Sequence, residues 1–354
     1  MSVQRIETVA VVGTGYMGGG IAQSLALAGL HVQLADADAE TTARNHERLL
    51  REGAVFEGAG LFPRGAADLL AERLHPCGSL EEAVADVDLV EEAVPEVPAL
   101  KLDVLRQVDA AARADAVIGT NTSTIPVKVL SAAVEDKSRF LTVHFSNPAP
   151  FIPGVELVSG EHTDPAVVEV VEELLARMGR RSAQVADVPG FVLNRLQFVL
   201  LKEAMAVVEE GVATPQDVDT VVSTTFGFRL PFFGPFAIAD MAGLDTYVRG
   251  YGVLEEGFGE RLSAPRLLTD VVDAGRHGTK NGGGFYDLGP EQLEELVAYR
   301  DRAYHRMRQL LDELGPSPLA RAGMARLPQR DDAPPRPDGT TPEEPQAQAG
   351  PLTP

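Results

Sequence analysis

Residues 8–13 (TVAVVG) form a run of apolar, mostly β-branched side chains that stops at a glycine, which predicts a buried strand. Directly after it, Met17, Ile21, Leu25 and Ala28 recur at three- and four-residue spacing, and Gly29 ends the helix this predicts. Residues 31–36 (HVQLAD) predict a second strand. Strand, helix and strand in so short a stretch make a βαβ unit, which implies a parallel sheet. Further strands are predicted at 88–94, 116–121, 139–145 and 155–159, mostly separated by helical pattern, while 44–74 reads as a helical excursion.

The texture changes near Pro189. Residues 191–211 are helical and apolar on nearly every face, as expected of a buried central helix. More helices follow with no convincing strand, closing on an amphipathic helix over 291–314. After Gly315 the chain carries ten of its 25 prolines and no aromatic residue, so a disordered tail is expected there. The expected architecture is an α/β, Rossmann-type domain over 1–187, an all-helical domain over 188–315, and the tail over 316–354.

Bulk composition narrows the function classes. A net charge of -21 without a lysine or arginine cluster disfavours nucleic acid. No apolar run is long enough for a membrane span, and the amino terminus lacks the layout of a signal peptide. The single cysteine, Cys77, cannot form an intramolecular disulfide, which fits a reduced, cytoplasmic setting. No metal-ligand pattern is present.

Four stretches carry candidate chemistry. Gly13, Gly15 and Gly18 have the GxGxxG spacing between strand and helix, with Tyr16 and Met17 inside the turn. Such a turn offers backbone N–H groups to a pyrophosphate. Asp36, ending the second strand, is placed for a ribose hydroxyl and would repel a 2′-phosphate, so NAD is expected over NADP. His144 ends a strand and Glu156 begins the next; together they can make an oriented general base. From that spacing alone, a satisfied buried histidine and a solvated glutamate fit better. Ser123 in GTNTSTIP can face the same crevice, although helix capping explains it more simply. Asn194 sits in an otherwise apolar helix, where its amide needs partners of either kind, substrate or backbone.

In order, TVAVVGTGYMGGGIA, VEEAVPE, GTNTSTIP, HFSNPAPFIPGVELV, DVPGFVLNRL, FGPFAIADMAGLDTY and GTKNGGGFYDL resemble the L-3-hydroxyacyl-CoA dehydrogenase family from about residue 6 to 314. The resemblance implies an NAD-dependent enzyme, commonly a dimer. His144 would be the base, Glu156 its partner, and Ser123 and Asn194 the groups that hold substrate oxygens. It also implies that Glu96, Lys101, Asn147 and Lys280 contact NAD. The expected substrate is an acyl thioester of coenzyme A. Two features depart from that: the excursion after the second strand has no lysine, leaving Arg44, Arg48, Arg51 and Arg64 for phosphates, and Arg229 lies in a loop like that of the carnitine and gulonate dehydrogenase branch. A free 3-hydroxy acid, its carboxylate on Arg229, is therefore the second reading. A non-catalytic structural protein is the third, and the joint presence of Ser123, His144, Glu156 and Asn194 argues against it.

Overall fold

The computed structural model describes residues 5–321, which fall into two compact units dividing between Leu200 and Leu201. The first unit opens with β1 (Thr8–Val12), α1 (Tyr16–Leu27) and β2 (His31–Ala35), and the excursion follows as α2 (Ala39–Gly58) and α3 (Ala66–Arg73). Then come β3 (Leu74–Pro76), α4 (Leu80–Val84), β4 (Leu89–Glu92), α5 (Pro98–Ala111), β5 (Val117–Thr120) and α6 (Val127–Leu130). β6 (Phe140–Phe145), β7 (Gly154–Ser159), α7 (Pro165–Arg177) and β8 (Arg181–Val185) complete the sheet, in the order β3-β2-β1-β4-β5-β6-β7-β8.

The order reverses between β1 and β4, which places the ligand crevice beyond their carboxyl ends. Apolar residues alternate to both faces, so the sheet has a core on each side. One joins Val9, Val11 and Leu141 to α1 and α7 through Ile21, Leu25, Val171 and Leu174. The other joins Ala10, Val90 and Ile118 to α4, α5 and α6 through Val84, Leu105 and Leu130.

Two expectations are corrected. The sheet is not wholly parallel: β6 and β7 pair antiparallel, because the connection 146–153 is too short for a crossover. β3 and β8 were not foreseen. Both are sheet edges, one only three residues long and the other (RSAQV) largely exposed, so neither shows a buried-strand pattern.

Continuing in chain order, α8 (Leu193–Glu209) leads into α9 (Pro215–Thr224), α10 (Phe226–Arg229), α11 (Pro235–Ala242), α12 (Leu244–Phe258), α13 (Arg266–Asp273) and α14 (Pro290–Leu314). α8 is not the buried helix its pattern predicts. None of its residues is buried, and Leu196, Phe198, Val199, Leu201 and Met205 are each more than half exposed. A helix apolar all round with its sides open wants a cover that the described residues do not supply. The tail begins with a short helical turn, Pro318–Arg321, and the rest of it lies outside the described residues. Among the described residues no helix is long and apolar enough to cross a membrane.

One buried group is at odds with its surroundings. Glu91 follows Leu89 onto the α1 face of the sheet, is 1 % exposed, and neither carboxyl oxygen has a hydrogen-bond partner. Gly119, beside it on β5, makes the room: a Cβ there would lie 2.3 Å from a Glu91 carboxyl oxygen. Burial, with a smaller push from the Glu92 charge, raises the Glu91 pKa well above the usual range, so the folded chain keeps the proton. The unfolded chain releases it above about pH 4.3. The folded state then binds more protons, and stability falls as pH rises through that window. Glu91→Leu is expected to raise the melting temperature, with a gain that grows from pH 4 to pH 8. A gain independent of pH would show that Glu91 is ionised in the folded state.

Candidate active site

The glycine turn joins β1 to α1. Gly13 has φ +91°, and a Cβ on it would strike the Ala93 backbone at 2.8 Å. Gly18 lies so close to the Gly13 carbonyl that no side chain fits. At Gly15, by contrast, a Cβ would meet nothing, so the outer side of the turn is open to a phosphate. Tyr16, Met17 and Gly18 are the first residues of α1, whose leading N–H groups have no helical acceptor and face that opening. The Tyr16 ring is exposed, while the Met17 side chain packs on the core.

Asp36 sits beside this turn. Its Oδ2 accepts from Thr14 N (2.7 Å), Thr14 Oγ1 (2.5 Å) and Asn45 Nδ2 (3.2 Å), while Oδ1 accepts only from Ala37 N. Burial works against its charge, but these donors outweigh it and hold the carboxyl below its usual range. Asp36 is thus a fixed anion with spare acceptor capacity on Oδ1, suited to a ribose hydroxyl and hostile to a 2′-phosphate. The cradle fits NAD.

His144 and Glu156 are direct cross-strand partners on β6 and β7. His144 Nδ1 lies 2.8 Å from Glu156 Oε2, and the imidazole is 4 % exposed. Glu156 Oε1 accepts from Val192 N (3.0 Å) and Leu193 N (2.9 Å), the backbone entering α8. A carboxylate can only accept, so Nδ1 donates and the lone pair is left on Nε2. Phe191, fully buried at φ +49°, sets its ring 5.8 Å from the imidazole. A left-handed phenylalanine costs on the order of 1 kcal/mol, which its burial offsets.

Ser123 does not cap the next helix. Glu96 Oε1 instead gathers the turn, accepting from Thr122 Oγ1 (2.7 Å), Ser123 N (2.9 Å) and Thr124 N (3.0 Å). Burial opposes the Glu96 charge, but these bonds and Lys101 leave its pKa lowered. α6 is capped by Asp187, which accepts from Val127 N (2.7 Å) and Lys128 N (2.9 Å). The Ser123 hydroxyl is left without a partner among the described residues, and Asn194 Nδ2 donates to Ser123 O at 2.9 Å. Ser123 and Asn194 are therefore brought together; the Asn194 amide has backbone for one partner and keeps its Oδ1.

Asn147 is exposed on the turn after β6, ahead of a cis bond to Pro148. Lys101 is fully buried: it donates to both oxygens of Glu92 (2.9 and 3.1 Å) and lies 3.6 Å from Glu96. Lys280, in the second unit, donates to Asp245 Oδ1 (2.5 Å) and Thr246 Oγ1 (2.9 Å). Asn121 is a positioning residue that the pattern did not flag: its Oδ1 accepts from Phe145 N (2.8 Å), tying the Ser123 turn to the end of β6. Its signal was the polar residue closing a buried strand. Among the described residues no cluster of side chains suits a metal ion.

Residues 8–188 match the family model described as 3-hydroxyacyl-CoA dehydrogenase, NAD binding domain, and residues 190–288 match the C-terminal domain of the same enzymes. The chain belongs to the 3-hydroxyacyl-CoA dehydrogenase family. It is an NAD-dependent oxidoreductase of that type. A 5-formyl-3-hydroxy-2-methylpyridine 4-carboxylate 5-dehydrogenase of Mesorhizobium japonicum is 34% identical over 87% of this chain and 99% of its own length. A probable 3-hydroxybutyryl-CoA dehydrogenase of Deinococcus radiodurans is 35% identical over 78% of this chain and 98% of its own. The crystal structure of an Archaeoglobus fulgidus 3-hydroxyacyl-CoA dehydrogenase is similar with a TM-score of 0.71 and 32% identity, covering 87% of this chain and 99% of that one.

Proposed function

We infer that the chain oxidises the 3-hydroxyl of a 3-hydroxyacyl-CoA to the 3-oxo product, with His144 as the general base. The His144–Glu156 hydrogen bond carries this reading, because it makes Nδ1 the donor, so that the neutral form of this buried ring presents its lone pair at Nε2. Nε2 takes the hydroxyl proton, and Glu156 steadies the imidazolium that results. The free Ser123 hydroxyl and the Asn194 amide hold the substrate oxygens. NAD, when bound, accepts the hydride; Gly13, Gly15, Tyr16, Met17, Gly18 and Asp36 hold its adenosine and pyrophosphate, Glu96 and Lys101 are assigned by family position to its nicotinamide end, and Asn147 and Lys280 to further contacts with it.

A second reading, a free 3-hydroxy acid, has specific support. Arg44, Arg48 and Arg51 each face a glutamate of their own helix (Glu40, Glu52 and Glu47), and Arg48 Nη2 also donates to Thr14 O at 2.8 Å. The Arg229 guanidinium has no hydrogen bond or ion pair among the described residues, which leaves it free for a carboxylate. NADH formation with 3-hydroxybutyryl-CoA, set against free 3-hydroxybutyrate, carnitine and gulonate, separates the two. With the CoA ester as substrate, Arg229→Met is expected to leave KM within about twofold. For a free acid, losing a charge-assisted bond raises KM more than about tenfold. Turnover of free acids alone overturns the thioester reading.

The exposed apolar sides of α8 also support a homodimer in which a second copy covers them. A monomeric mass in light scattering at micromolar concentration would contradict this.

A further inference from the structure

The chain has five lysines, Lys101, Lys128, Lys137, Lys202 and Lys280. Lys101 and Lys280 are held by carboxylates, as described above. Of the remaining three, Lys128 and Lys137 line one cavity of about 260 Å³ in the first unit, together with Ser131, Phe140, His162 and Thr163. In a chain of net charge -21, unpaired lysines gathered at one cavity are unexpected.

Among the described residues no acid forms an ion pair with them. Asp187 spends both oxygens on the backbone of α6, Asp136 accepts from Ser138 N and Oγ, and Asp164 caps α7 through Ala166 N. Glu161 is the one carboxylate among the lining residues, and it is exposed. Neither lysine ammonium, nor the His162 ring, has an ion pair or hydrogen bond among the described residues. Lys137 is itself half-buried, while Lys128 and His162 are exposed. The donors come from three separate segments: Lys128 and Ser131 at α6, Lys137 before β6, and His162 after β7. Donors converging from several directions suit a tetrahedral anion better than a planar carboxylate.

We propose that this cavity is an anion site for a small phosphate-bearing ligand, distinct from the dinucleotide cradle. Phe140, in its wall, starts the strand that carries His144 near its far end, about 13 Å away at about 3.3 Å per residue. The ligand therefore binds at the end of β6 remote from the base.

The test is calorimetric titration of the NAD-saturated protein, so that the glycine turn is already filled, in a low-salt, chloride-free buffer. Inorganic pyrophosphate, inorganic phosphate and succinate are the probes. Pyrophosphate and phosphate are expected to bind saturably at one site per chain, and succinate at least tenfold more weakly. Lys128→Met and Lys137→Met are each expected to weaken pyrophosphate about tenfold or more, with unchanged melting temperature and turnover. Three results would overturn the proposal: no saturable heat with either phosphate, the same affinity in the double variant, or succinate binding as tightly as pyrophosphate. The readout does not depend on which acyl substrate the enzyme uses.

Discussion

His144→Ala is expected to lower kcat by about 10²–10⁴-fold while the NAD dissociation constant stays within about twofold. The asymmetry follows from placement. His144 lies at the end of β6 among Glu156 and Phe191, whereas the glycine turn and Asp36 close β1 and β2. Glu156→Gln is expected to cost nearly as much, for a reason specific to this site. Glu156 Oε1 accepts two backbone N–H groups, from Val192 and Leu193. In the glutamine variant the amide oxygen keeps those donors and turns its NH₂ toward His144 Nδ1. The ring then accepts at Nδ1 and carries its proton on Nε2, the tautomer that cannot take a proton from substrate. Steady-state kinetics with intrinsic-fluorescence titration of NAD checks both variants. A glutamine enzyme with full turnover would sink the proposed pairing, and a histidine variant with weakened NAD alone would move the residue from chemistry to cofactor binding.

Lys101→Met is expected to destabilise the first unit by about 3–5 kcal/mol, the usual cost of leaving one partner of a buried ion pair alone. Both members are buried, Lys101 and Glu92 each at 0 %. Glu92 would keep Val94 N (2.7 Å) and Thr120 Oγ1 (2.6 Å), two neutral donors in place of an ammonium. At about 2–4 °C per kcal/mol the melting temperature should fall by about 10 °C. Glu92→Gln combined with Lys101→Met should recover most of that, since an amide carries no charge and can still serve Val94 N and Thr120. Thermal unfolding followed by circular dichroism distinguishes the cases. If the single variant melts within 2 °C of the parent, the pair is not the electrostatic anchor inferred here.

What the sequence exposes and what it conceals divide along the reach of the interaction. The glycine turn, Asp36 and the β1–α1–β2 unit are local, and their spacing survives in a string of letters. The His144–Glu156 pair was legible only as two strand ends; the antiparallel pairing that makes them direct partners rests on the short connection 146–153. Lys101 reads as a loop residue because its partner, Glu92, lies across a turn and into the sheet. Arg48 reads only as a cation available to phosphates because its contact with the Thr14 carbonyl spans 34 residues. Ser123 was ambiguous between substrate and helix cap until Asp187, more than sixty residues on, was found to be the cap. α8 misled in the other direction, since an all-round apolar helix states that something covers it without stating what.

Glu91 and Gly119 constrain which sequences can descend from this one. A Cβ at position 119 would lie 2.3 Å from the Glu91 carboxyl, so substitution there forces that buried acid to move. Replacing Glu91 first by a smaller apolar residue removes that contact and the desolvation cost together. The order of substitution therefore matters: the path that begins at 119 must displace a buried acid, and the path through position 91 does not. Reconstructed intermediates along the two paths should differ in soluble yield, although both end at the same pair of residues.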